Sequence, residues 1–171
     1  MHPSPSPNHT GDKNWTPNPA PKVKNFIWRV CRNTLPTRLR LKDKGVNCEH
    51  NCVLCNLAEE DSFHLFFRCP SSCNIWSMCD FFTTANTVLN QGQDSASIIF
   101  QLLQVLNGDE AALFCCTLWS IWKQRNNKVW NDVTEAQVAV LECAKVLLQE
   151  WRAAKSYQQQ PSKVQKSNEM I

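Results

Sequence analysis

A chain of 171 residues, 43% apolar and 19% charged, has room for one ordinary domain or for a small module with an extension. It opens on MHPSPSPNHTGDK, with no apolar core of a secretory signal, and its longest apolar run, Ala111 to Trp122, is broken by Thr117 and Ser120 and too short to span a bilayer. The net charge of +3 hides a division: residues 21–48 carry eight Lys/Arg against Asp43 alone, whereas residues 49–110 carry Arg68 alone against eight acids. An intracellular protein with reduced thiols and no membrane contact is the expectation, and clustered cysteines in that setting point to metal rather than to disulfides.

In chain order, residues 1–21 are rich in proline with Ser, Asn and Thr between, the composition of a disordered leader, with Trp15 as its one anchor. From Lys22 the pattern changes: Val23, Phe26, Ile27 and Val30 form the apolar stripe of a helix, which Pro36 should end. Thr37 is placed to cap a second short helix through Leu39 and Leu41, with Gly45 as its stop. An acidic loop, Glu59-Glu60-Asp61, then leads into a short helix carrying His64, flanked by the core candidates Phe63, Leu65, Phe66 and Phe67. Ser71 or Ser72 can cap a further helix bearing Ile75, Trp76 and Met78.

Residues 81–94 look polar and loop-like, so they read as a linker. A helix is predicted over about 95–106 and another over about 109–130; the latter is apolar nearly all round to Trp122, then polar through KQRNNK, and so should run from a buried end to an exposed one. Thr134 and Gln137 form a capping box for a last helix with the stripe Val138, Leu141, Ala144/Lys145 and Leu148, and with Val140, Leu147 and Trp151 beside it. Beyond Tyr157 the tail should be disordered. The expected fold is therefore mainly α: a small zinc-stabilised helical module over 22–80, a helical extension over 95–157, and disordered termini at 1–21 and 158–171.

The zinc expectation comes from Cys52, Cys55, His64 and Cys69, spaced C-x2-C-x8-H-x4-C. Three thiolates and an imidazole complete a tetrahedral zinc shell and leave no position open for a reacting water, so a single ion there is structural rather than catalytic. Cysteines two residues apart bring both sulfurs to one side of a tight turn, and bound metal adds the folding free energy that a short polar segment lacks. Cys48, His50 and Cys73 lie close enough to replace one of the four. A redox role for C-V-L-C lacks the strand–helix context of thioredoxin-type motifs.

The blocks PKVKNFIWRV (21–30), NTLPTR (33–38), KGV (44–46), CVLC (52–55), EE (59–60), HLFFRCP (64–70) and Trp76 together resemble the zinc-binding domain of plant non-LTR (LINE-type) retrotransposon reverse transcriptases. LWSIWKQRNNKVW (118–130) looks like the helical segment that follows this domain in many such proteins. The resemblance implies that Cys52, Cys55, His64 and Cys69 bind the metal and that Trp28, Leu35, Pro36 and Trp76 are framework positions. The family's polymerase motif Y-x-D-D is missing and no ribonuclease H acidic quartet follows, so a non-catalytic fragment or derivative is expected.

Two functions fit this reading. In the first, Lys22, Lys24, Arg29, Arg32, Arg38, Arg40 and Lys42 contact the phosphates of RNA or DNA. In the second, zinc braces a structural or interaction module whose Trp-rich helices, with Trp119, Trp122, Trp130 and Trp151, pack against a protein partner; a retroelement fragment without function is the third outcome.

Overall fold

The computed structural model describes residues 19–160, which hold seven α-helices and no strand beyond one isolated bridge. Trp15 and the tail from 161 onward lie outside the described residues. Helix α1, Pro21–Cys31, starts on a proline in its first turn, where the missing N–H costs no bond and the fixed φ suits helix entry. Its predicted stripe is buried throughout. Pro36 does not end it: the helix stops at Cys31 because Asn33 takes a left-handed backbone, φ 52°, which asparagine tolerates better than most residues. Helix α2, Arg38–Asp43, behaves as expected. The Thr37 hydroxyl accepts from the Arg40 N–H at 3.4 Å, and Gly45 at φ 85° supplies the left-handed stop.

A π-helical turn, His64–Arg68, precedes helix α3, Pro70–Ser77. Neither Ser71 nor Ser72 caps α3. The helix begins one residue earlier on Pro70, and the Ser72 hydroxyl instead donates to the Leu65 carbonyl at 2.6 Å. The polar stretch read as a linker is helix α4, Phe82–Gln91. Ala85 and Leu89, four residues apart, are its buried face, and the outward Thr and Asn side chains obscure that pattern. Helix α5, Ser95–Val105, is capped by Asp94, and helix α6, Gly108–Asn131, by a reciprocal Asn107/Glu110 box.

Helix α7, Gln137–Gln158, lacks the predicted Thr134/Gln137 box because Gln137 is its first residue rather than its third. Of the predicted stripe Leu141, Ala144 and Leu148 point inward, joined by Val140, and Val138 is exposed. A five-residue connection turns α7 back along α6. Arg152 near the end of one reaches Asp109 at the start of the other at 2.6 Å, as antiparallel neighbours require.

A single apolar cluster joins residues from Ala20 to Leu141, so the predicted module and the helices beyond it share one core. Phe26 of α1 meets Phe66 of the π-turn and Trp119 of α6 edge-on, at 6.0 and 5.3 Å between centroids. Trp76 of α3 lies between Phe67 at 6.2 Å and Phe114 at 5.2 Å. Of the framework positions, Leu35 and Trp76 are buried as expected, whereas Pro36 and Trp28 are exposed. Among the described residues no helix is long and apolar enough to cross a membrane.

Two arginines fasten the segment between α2 and α3 to this frame. Arg68 donates to the carbonyls of Phe67, Leu89 and Gly92 at 2.7–2.9 Å, tying the π-turn to the end of α4, where helix carbonyls would otherwise lack partners. Arg125 of α6 enters from the other side and pairs with Glu60, donating from Nη2 at 2.6 Å and from Nε at 3.0 Å. Both members are buried, with side-chain exposures of 5% and 0%. One expectation is thereby corrected, since the polar end of α6 buries Gln124 and Arg125, and within the acidic loop Glu60 is fully buried.

Truncating one member of a buried pair strands the other charge, which costs about 3–5 kcal/mol. Arg125→Ala should lose stability on that scale in urea denaturation of the zinc-loaded chain. The paired replacement Glu60→Gln with Arg125→Met should lose much less than Arg125→Ala.

Candidate metal centre

The site is assembled from a loop closed on itself. Cys52 N–H donates to the Ala58 carbonyl and Glu60 N–H to the His50 carbonyl, both at 2.8 Å, so the chain enters and leaves the C-V-L-C turn side by side. Asn56 N–H returns to the Cys52 carbonyl at 2.8 Å, and Asn56 itself is left-handed, φ 56°. The Leu57 N–H points at the Cys55 sulfur, 3.4 Å away.

The other two ligands come from the π-turn. Asp61 accepts the His64 N–H at 2.7 Å and starts it, and Cys69 N–H closes it on the His64 carbonyl at 2.6 Å. That wider loop sets His64 and Cys69 five residues apart across one turn. It also leaves carbonyls to be satisfied from elsewhere: Ser72 takes that of Leu65, and the Trp76 indole N–H takes that of Phe66 at 2.7 Å. The conjunction of H-L-F-F-R-C-P with Trp76 thus has a physical cause, since the indole holds the turn that aims the imidazole.

One donor atom from each of Cys52, Cys55, His64 and Cys69 falls within 4.8 Å of all the others. Cys52 Sγ and Cys69 Sγ stand 3.9 Å apart, and Cys55 Sγ stands 3.2 Å from His64 Nε2. Tetrahedral zinc with Zn–S near 2.3 Å has edges of about 3.5–3.8 Å between its ligands, so the four atoms fit a single ion. The sulfur separation is about twice a disulfide bond, and all ten cysteines are unbridged. Cys48, His50 and Cys73 stay out of the cluster: Cys48 Sγ lies by the Arg38 carbonyl, His50 faces Glu59, and Cys73 Sγ lies by the Phe67 carbonyl.

Proton chemistry separates these ligands from the other cysteines. The hydrogen bond from Cys52 Sγ holds Cys69 below the ordinary thiol range and raises Cys52. Burial holds His64 below its usual value, against the pull of Asp61 and Glu60, so its imidazole stays neutral. By contrast, burial pushes Cys79 up to about 12 and Cys116 to about 11, the behaviour of small core residues.

Glu60 is the residue that sequence reasoning missed. Besides Arg125, its carboxylate accepts the Arg38 N–H at 3.0 Å and the Val53 N–H, inside the C-V-L-C turn, at 3.3 Å. Arg38 adds a bond from Nη1 to the Asn51 carbonyl at 3.0 Å. Sequence did hold a signal for Arg125, which continues the buried stripe of Leu118, Ile121 and Trp122 at the next helical step.

A closed three-cysteine, one-histidine centre, locked from behind by a buried carboxylate, defines a structural zinc module. Residues 1–76 match the family model described as zinc-binding in reverse transcriptase, and this part of the chain is a zinc-binding domain of that kind. No curated protein and no solved structure matches.

Metal analysis should find one zinc per chain, lost in Cys52→Ser and Cys69→Ser and kept in Cys48→Ser and Cys73→Ser. Because zinc binds cysteine as thiolate and displaces the thiol protons, affinity should fall on acidification, by about tenfold per pH unit for each proton displaced. Chelator competition at two pH values measures that slope.

Proposed function

We propose that the chain is a non-catalytic, zinc-braced module that binds nucleic acid through the basic block of α1 and α2. The observation that carries this reading is that Arg29, Arg32, Lys42 and Lys44 are exposed, with no carboxylate at ion-pair distance among the described residues. Unpaired cations on ordered helices release counterions when they meet phosphate, which gives affinity without sequence preference.

The predicted phosphate contacts divide on this basis. Arg38 is engaged in bracing the metal loop, and Lys22 lies over the Trp119 ring at 5.7 Å. Arg40 is half-buried, and Lys24 lines a groove between α1 and α5. Arg29 and Lys42 remain the principal candidates, with Arg32 set on the exposed Trp28 ring at 4.5 Å. A closed ligand shell and a match to a zinc-binding rather than a polymerising segment support the absence of catalysis.

Binding of labelled RNA or DNA to the zinc-loaded chain should weaken steeply with salt. Arg29→Glu together with Lys42→Glu should weaken it about tenfold and flatten the logarithmic salt slope by about one for each phosphate no longer engaged. A flat salt response would overturn the proposal.

Docking of a protein on α6 and α7 is the second reading, favoured by Trp130, which is 80% exposed. Association of the chain that Trp130→Ala abolishes in size-exclusion chromatography would support it.

A further inference from the structure

Trp28 occupies an expected framework position, yet it is 55% exposed. On α1 it is the middle of a stripe spaced by four residues, Lys24, Trp28 and Arg32, so the three side chains follow one another along one side of the helix. The Arg32 guanidinium lies 4.5 Å from the centre of the Trp28 ring. A guanidinium at that distance steadies the ring by cation–π attraction and covers only one of its faces.

Beside this stripe runs a groove of about 310 Å³ between α1 and α5, lined by Lys24, Ile27 and Trp28 on one side and Ile99, Phe100 and Leu103 on the other. Phe100 is 58% exposed, so a second aromatic ring is open to solvent across the groove from Trp28. No acid lines it, and α5 bears no charge at all between Ser95 and Val105. Asp94, at the N-cap of α5, is already engaged by the Ser97 amide at 2.9 Å and its hydroxyl at 2.7 Å.

Two open rings with cationic side chains on one border, and no carboxylate between them, match the chemistry of an unpaired nucleobase on a phosphate chain. A protein surface lacks that combination of flat apolar faces and regular negative charge, and a base-paired duplex keeps its base faces stacked on one another. Bases stacked on aromatic side chains beside a basic track are how sequence-tolerant binding of single strands is achieved. We infer that the groove between α1 and α5 binds single-stranded nucleic acid, with Trp28 and Phe100 stacking on unpaired bases and Lys24 and Arg32, on the bordering stripe, holding the flanking phosphates. The inference rests on the nucleic-acid reading above and narrows it to strands whose bases are free.

The test uses the full zinc-loaded chain and fluorescence anisotropy with a labelled oligouridylate of about 12 nucleotides and a blunt duplex of the same length. The single strand should bind at least about fivefold more tightly than the duplex. Trp28→Ala and Phe100→Ala should each weaken single-strand binding about fivefold or more, with zinc content and helicity unchanged, and Trp28→Phe should retain most of the affinity. Lys42→Glu, outside the groove, should lower the salt slope for both probes alike.

Equal affinity for both probes, or no effect of Trp28→Ala on the single strand, would overturn the stacking inference; persisting salt-dependent binding would leave the broader proposal intact. No binding of either probe at low salt would overturn both. Self-association abolished by Phe100→Ala, without single-strand preference, would assign the face to a second copy of the chain and overturn the inference.

Discussion

The Glu60 carboxylate is the constraint on which the remaining structure hangs. It is fully buried, and an uncompensated charge there would be intolerable, so every neighbouring element is bent toward satisfying it. The start of α2 offers the Arg38 N–H, the C-V-L-C turn offers the Val53 N–H, and α6 supplies the guanidinium. Three segments distant in sequence are thereby held in one relative position. The Arg125 guanidinium also lies 4.8 Å from the centre of the Trp122 ring, which carries the restraint into the aromatic core. A buried ion pair is weak evidence for stability in itself. Its contribution here is register, since the carboxylate accepts these bonds only when turn, helix start and α6 are all in place.

Zinc acts on the same loop from the opposite side. The ligand cluster draws the C-V-L-C turn and the π-turn together at their sulfurs and imidazole, while Glu60 holds the back of the turn through backbone bonds. The ligands themselves are graded in burial: Cys52 and Cys69 are enclosed, whereas Cys55 and His64 are partly open. An ion thus has a wet side from which to arrive and a dry side that holds it, with no need for a vacant coordination position.

How much of this is legible in the sequence follows from the range of each interaction. The metal ligands and the stripes of α1 and α5 are local patterns, and the sequence displays them. Helix α4 escapes because its inward face is just two small-to-medium residues between polar neighbours, a signal too thin for periodicity. The α7 start is misread because a Thr–Gln pair mimics a capping box wherever it occurs, and only packing against α6 sets the actual phase. Glu60 and Arg125 lie 65 positions apart. Arg125 stands in phase with the buried stripe of α6, but Glu60 is one acid in an acidic run, so nothing short of the tertiary structure could pair them. The exposure of Trp28 is of the same kind, because a tryptophan beside an apolar stripe reads as core until the neighbouring helix is seen to leave it uncovered.

That separation also has a meaning in time. A chain emerges from the ribosome from its N-terminus at about 5–20 residues per second. All four ligands precede Arg125, and the last of them, Cys69, comes 56 residues earlier, so the four are in the chain for roughly 3–11 s before the side chain that locks their loop has been made. The long helix is therefore the last part of the metal loop's surroundings to be supplied, after every residue that it holds in place.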